Sequence, residues 1–352
     1  MRVSVLHPLA GEGPGRLSVE DRPVPQPGPG EVLVRIKSVG VCGSDTHYYN
    51  EGRIGPYVVD QPLVLGHEPS GEIAAVGPGV TGRTVGQRVS LEPGIPDPLS
   101  PQTLAGCYNL DPNVRFFATP PVDGVFAEYA VHPAAFCHPV PDSVSDDAAA
   151  LLEPLSVAIA ARKAAGIALG DKVLVAGAGP IGLLAAKVAQ LAGAEVTLTD
   201  VRAERLAVAG RFGAARTFTA ADAPEVTPEF DVFIDATGAE RAVLAGLARL
   251  APRGRCVLVG MGSDTVAVPV PLIQGRELVI TGTFRYANTW PTAIALAASG
   301  AVDLDGLVTS VHGLDDVGAA LTAGSAPGAL KAVVRPQCRP QMSGLPERPA
   351  SA

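Results

Sequence analysis

The run Gly177-Ala178-Gly179-Pro180-Ile181-Gly182 constrains the fold of this chain more than any other. It follows the apolar run Lys172-Val173-Leu174-Val175-Ala176 and opens a helical pattern from Ile181 to Leu191. A strand, a tight glycine turn and a helix in that order make the first unit of a parallel sheet. Further strands fit Glu195-Val196-Thr197-Leu198-Thr199, Asp231-Val232-Phe233-Ile234 and Arg255-Cys256-Val257-Leu258-Val259. Their alternation with helical patterns predicts an α/β, doubly wound parallel sheet. Gly177 permits the turn, Gly179 lets the backbone approach a pyrophosphate, and Gly182 lets helix pack on strand. The helix N-terminus, opened by Pro180 and Ile181, offers free N–H groups from the residues after the proline to phosphate oxygens. Asp200 stands at the end of the next strand, where a carboxylate accepts hydrogen bonds from ribose hydroxyls and repels a 2′-phosphate. NAD is therefore favoured over NADP, a preference that Arg202 and Arg205 temper; Arg205 is itself a candidate cofactor contact. No Gly-Lys-Ser/Thr follows the glycines, which excludes a P-loop.

Residues before about 150 read differently. Short alternations such as Glu31-Val32-Leu33-Val34-Arg35-Ile36 and Gly71-Glu72-Ile73-Ala74-Ala75-Val76 are cut by Gly/Pro turns, which predicts a β-rich unit. Residues 94–124 show little periodicity and predict a long surface excursion. At 352 residues the chain exceeds one ordinary core, so two domains are expected. A net charge of −8 without a basic cluster argues against nucleic acid. No run of eighteen apolar residues predicts a transmembrane helix, and the N-terminus lacks the apolar core of an export signal. Five scattered cysteines make no disulfide framework and fit a reducing cytoplasm. The last seventeen residues carry four prolines and read as a frayed tail.

Chemistry concentrates in Cys42-Gly43-Ser44-Asp45 and Gly66-His67-Glu68. A thiolate, an imidazole and a carboxylate form a mixed S/N/O set that suits zinc, and three protein ligands leave a fourth position open. Glu153 is the remaining candidate, either as a direct ligand or as the holder of a water on the metal. An open zinc is a Lewis acid that acidifies an alcohol, which can then give hydride to a nicotinamide. Ser44 stands where it could pass the proton out, or it caps a turn. His47 is close in sequence without a settled role; the other histidines read as structural.

These residues resemble the zinc-dependent medium-chain dehydrogenase/reductase family, and within it the sorbitol (polyol) dehydrogenase subgroup. Gly66-His67-Glu68-Pro69-Ser70-Gly71, with Gly77 and Val80, is similar to the family's zinc signature. Cys42-Gly43-Ser44-Asp45-Thr46-His47-Tyr48, Gly52-Arg53-Ile54-Gly55, Ala118-Thr119-Pro120-Pro121, Glu153-Pro154-Leu155-Ser156 and Phe284-Arg285-Tyr286-Ala287-Asn288-Thr289 are similar to the polyol subgroup. The resemblance covers roughly residues 1 to 335. It implies zinc on Cys42, His67 and Glu68 plus water, with Glu153 reached through that water. It implies a proton relay at Ser44 and a substrate pocket of Tyr48, Phe116, Arg285 and Tyr286. Many members hold a second, structural zinc on four cysteines. The matching positions here are Asp97, Ser100, Thr103 and Asp111, so one catalytic zinc per chain and no structural zinc is expected.

The implied fold is a GroES-like, β-rich catalytic domain over 1–152, a Rossmann NAD-binding domain over 153–285, a C-terminal return to the catalytic domain over 286–335 and a flexible tail over 336–352. The resemblance further implies a homo-oligomer, dimer or tetramer, with Leu278-Val279-Ile280 as the candidate contact. The expected activity is NAD-dependent oxidation of sorbitol, xylitol, iditol or arabinitol to a ketose. Rival expectations are a butanediol- or threonine-type secondary alcohol and a dinucleotide-binding protein without turnover.

Overall fold

Two sheets organise the molecule, and both follow from where the apolar residues fall. The computed structural model describes the chain except residues 10–12, 224–226, 228 and 339–352. The expected tail therefore lies almost wholly outside the described residues. In the dinucleotide half, Lys172–Ala176 is apolar at every position after the lysine, and Val173, Leu174 and Val175 are buried. Such a strand needs cover on both faces, which a central position in a parallel sheet provides. Six parallel strands run in the order Ala214–Thr219, Glu195–Asp200, Lys172–Ala176, Phe230–Asp235, Leu250–Leu258, Val279–Gly282. Strand order reverses beside Lys172–Ala176, and ligands of such sheets bind at that switch.

The first half is a seven-stranded, mostly antiparallel sheet. Its central strand, Glu31–Gly40, pairs with Glu68–Val76 on one side, and Tyr129–Pro133 and Lys331–Val334 also pair with it. Val32, Val34 and Ile36 are buried, as the alternation predicts. The strand outruns the expected end at Ile36. A register shift between Ile36 and Ser38 lets it continue to Gly40, opposite Glu68. The region 94–124 contains only short elements, among them the helix Pro101–Leu104 and the strand Arg115–Phe116.

The helix Leu152–Ala165 joins the halves. Phe116, Val140 and Val144 from the first half share one apolar cluster with Leu155, Leu183 and Ile234. The chain's end divides its contacts. Helix Trp290–Ala298 packs on Leu152–Ala165, whereas Val308–His312 and Lys331–Val334 enter the first sheet. That crossing brings a residue more than 260 positions downstream beside Glu68.

Candidate active site

Cys42 is the N-cap of the helix Gly43–Glu51. Asp45, three residues on, accepts the Cys42 N–H at Oδ2 (3.0 Å) and the Gly66 N–H at Oδ1 (2.9 Å). The same Oδ1 lies 3.5 Å from His67 Nδ1. One buried carboxylate thus fixes both ligand segments and orients the imidazole. The sequence reading gave Asp45 no role. Its signal was present as the acidic third position of a helix start.

Gly66 adopts φ +88°, and a Cβ there would lie 2.7 Å from Phe126. Its turn delivers His67 just ahead of the strand Glu68–Val76, which Glu68 opens. Donor atoms of Cys42, His67 and Glu68 lie within 4.8 Å of one another, the one such group among the described residues. Glu68 Oε2 is buried without a hydrogen-bond partner, and a Cβ on Gly40 would lie 1.9 Å from it. Burial would push His67 down, but the charges of Asp45 and Cys42 outweigh it and hold the imidazole well above its usual range. The set fits a divalent cation: soft and hard donors converge, one carboxylate oxygen is free, and the surroundings favour positive charge.

Glu153 is buried beside this group, and its Oε1 accepts the Tyr286 hydroxyl at 2.7 Å. Burial first and the Glu68 charge second push its carboxyl up to about 7. Lys331 is the residue that sequence reasoning missed. Its Nζ donates to Glu68 Oε1 at 2.6 Å, with both side chains buried. Ser44 lies half-buried in the first turn of the Gly43–Glu51 helix. His47 points to the rim of that helix, where Nδ1 is 3.0 Å from Glu51.

The proposed substrate residues gather against the ligands. The Phe116 ring lies 5.8 Å from the His67 ring, and the Arg285 guanidinium stacks 3.7 Å above Phe116. Arg285 Nη2 donates to Thr119 Oγ1 at 3.4 Å. Tyr48 is buried, and burial raises its phenol to about 12, so it stays a hydrogen-bond donor. Burial, reinforced by the Glu153 charge, holds Tyr286 well above the usual phenol range.

A lobe clamps the loop that carries Arg285 and Tyr286. Asn109 Nδ2 donates to Phe284 O (2.7 Å), Asn288 N–H to Tyr108 Oη (2.7 Å) and Asn288 Nδ2 to Gly106 O (2.9 Å). These bonds hold Arg285 and Asn288 at φ +54° and +56°, a region that side chains disfavour. Within the lobe, the Asp97 N–H donates to Asp111 Oδ2, and Ser100 Oγ donates to Thr103 Oγ1 at 2.9 Å. Hydrogen bonds thus link the positions where four cysteines would hold a metal.

A cleft of about 440 Å³ runs from Cys42, Glu68 and Lys331 to Gly179, Pro180 and Arg205; Ile181 and Gly182 also line it. A Cβ on Gly182 would lie 1.7 Å from Gly177 O, which is the close helix–strand contact the motif requires. A Cβ on Gly179 would meet nothing nearer than Arg205 at 4.0 Å, so that backbone is open to a ligand. A second cavity, about 810 Å³, adjoins it and is lined by Gly177, Asp200 and Arg202. Asp200 accepts the Ala178 N–H (2.6 Å) and the Arg202 N–H (2.8 Å), and each oxygen keeps a second lone pair for a hydroxyl. Arg205 Nε is buried without a partner.

The comparisons with known proteins agree with this geometry. Residues 28–142 match the alcohol dehydrogenase GroES-like domain, and residues 180–299 match the zinc-binding dehydrogenase domain. Sorbitol dehydrogenase of Homo sapiens is 45% identical over 314 residues, 86% of this chain and 87% of that protein. L-idonate 5-dehydrogenase of Escherichia coli superposes with a TM-score of 0.84 at 29% identity, covering 95% of this chain and 99% of that one. 2R,3R-butanediol dehydrogenase of Bacillus subtilis gives 0.84 at 28% identity, with the same coverage. The chain belongs to the zinc-dependent medium-chain dehydrogenase/reductase family, in its sorbitol dehydrogenase subgroup.

Proposed function

We propose that this enzyme oxidises a secondary alcohol of a sugar alcohol to the ketose, with one zinc and NAD. One observation carries this: Cys42 and Glu68 of the Cys/His/Glu trio share a single cleft with the glycine turn, while Phe116 packs on His67, Arg285 stacks on Phe116 and Tyr286 donates to Glu153. Zinc, when bound, supplies the Lewis acidity that loosens the alcohol proton, and NAD accepts the hydride. Cys42, His67 and Glu68 hold the metal. Glu153, neutral or charged near pH 7, is suited to hold a proton or a water beside the reacting hydroxyl. Ser44 passes the proton outward. Tyr48, Arg285 and Tyr286 bind the hydroxyls of the chain, and Phe116 closes the wall. Gly177, Gly179, Pro180, Ile181 and Gly182 cradle the pyrophosphate, with Asp200 and Arg205 on the adenosine side.

On this reading residues 1–152 supply the metal and 153–285 the cofactor. The C-terminal residues to 335 complete the first sheet. No helix among the described residues is long and apolar enough to cross a membrane. We place the enzyme in the cytoplasm, where its free thiols would persist. We further propose a homodimer or tetramer that pairs through the edge strand Val279–Gly282, where Val279 is exposed. The test is NADH formation by zinc-replete protein across C4–C6 polyols, with butanediol and threonine as controls. Turnover confined to polyols and abolished by a chelator is expected; activity on the controls alone would overturn the substrate assignment.

A further inference from the structure

Lys331 has no part in the roles above, yet it makes a 2.6 Å hydrogen bond to a metal-ligand side chain. It opens the strand Lys331–Val334, whose Val333 pairs with Gly40 at the end of the first sheet's central strand. That register sets its ammonium 2.6 Å from Glu68 Oε1, with 5% of the lysine side chain and 1% of the glutamate exposed. The other oxygen, Oε2, is buried, unpartnered and walled by Gly40. The two oxygens of Glu68 therefore have separate fates: one is claimed by a buried cation and the other is free.

We propose that Lys331 is a positioning residue that restricts Glu68 to one-oxygen ligation, and so keeps a coordination position open for substrate. This rests on the reading that Cys42, His67 and Glu68 hold the metal. A carboxylate without a second partner can chelate through both oxygens, which would fill a position on the ion. A charge-assisted hydrogen bond in a buried setting opposes that, because Oε1 would have to leave the ammonium and strand its charge. Gly40 acts from the other side. With no Cβ it leaves room for Oε2, yet its backbone confines that oxygen. The lysine also lines the cleft toward Gly179 and Pro180, so the restraint operates beside the cofactor entrance.

The test replaces zinc by Co(II) and reads visible d–d absorption, which is strong for four-coordinate and weak for higher-coordinate cobalt. Wild-type protein is expected to show the strong band. Lys331→Met is expected to lose band intensity as Glu68 closes on the metal, and Lys331→Arg, which keeps a cationic donor, to retain it. Superimposable wild-type and Lys331→Met spectra would overturn the proposal. X-ray absorption on the wild-type zinc protein gives a measurement independent of whether any variant folds. Four ligands with a single Glu68 oxygen support the restraint, and a chelating carboxylate refutes it. Cobalt that fails to bind would overturn the metal assignment together with this inference. Cobalt that binds as expected in a protein inactive on polyols would leave the role of Lys331 standing and refute only the substrate.

Discussion

Glu153→Gln in metal-stripped protein offers a quantitative test of the buried carboxylate pair. Glu153 is 5% exposed, and its carboxyl is raised from 4.5 to about 7, by burial first and by the Glu68 charge second. Between those values the folded protein keeps a proton that the unfolded chain has released. A folded state that binds more protons loses stability as pH rises, so the loss begins near 4.5 and is complete above about 7. The interval corresponds to at most about 3–4 kcal/mol, at roughly 1.4 kcal/mol per pH unit. Glutamine has nearly the same shape and does not ionise, so it removes this loss while keeping an oxygen for the Tyr286 hydroxyl. Urea unfolding at several pH values gives the difference between variant and wild type, which isolates this site from other titrating groups. The variant should gain on the wild type from pH 4.5 upward and be about 2–3 kcal/mol more stable at pH 8. Saturating zinc should shrink that gap, because a cation beside the pair lowers the cost of the Glu153 charge. A difference curve flat from pH 4 to 8 would refute the argument.

Other consequences are testable with single substitutions. Asp45→Asn keeps the size of the group that orients His67 but removes its charge, and zinc affinity by chelator competition should fall about 10- to 100-fold. Asp200→Ala should lower the NAD-to-NADP ratio of kcat/KM by about tenfold or more, since a ribose hydrogen bond is lost and a repulsive charge removed. Arg285→Met keeps apolar contact with Phe116 but removes the guanidinium. It should lower kcat/KM for polyols about 10- to 100-fold with little change in NADH affinity by fluorescence titration.

The parts of the site legible in the sequence are those built from neighbours in the chain. The glycine turn between Ala176 and Ile181 is a local device, and strand, turn and helix all fall where the pattern predicts. Cys42, His67 and Glu68 lie in two short runs whose residue types declare a metal. The rest depends on pairings between distant segments. Lys331 is a lone lysine between Leu330 and Ala332, and nothing nearby marks it for burial. It reaches Glu68 because Val333 pairs with Gly40, a register that no periodicity encodes. The irregularity between Ile36 and Ser38 hides the same junction, since it carries the strand past its apparent end. The clamp from Tyr108 and Asn109 to the Phe284–Asn288 loop spans 175–180 residues and is equally silent.

These distant contacts also explain why the site suits a divalent ion. Asp45 and Glu68 are buried carboxylates, and Cys42 would ligate a metal as a thiolate. Lys331 is the buried cation among them, so with Glu153 protonated three negative charges face one positive charge. Two further positive charges are needed, because a buried charge without compensation costs several kcal/mol. Zinc supplies both. Without it the same demand falls on protons, and His67 is the group held well above its usual range. Zinc binding at pH 7 should therefore release protons, at least one of them from His67, since the metal takes neutral imidazole. A pH indicator in weakly buffered protein reads the release directly. His67→Ala should diminish it, and binding without proton release would show that the imidazole is already neutral and the charge balance wrongly drawn.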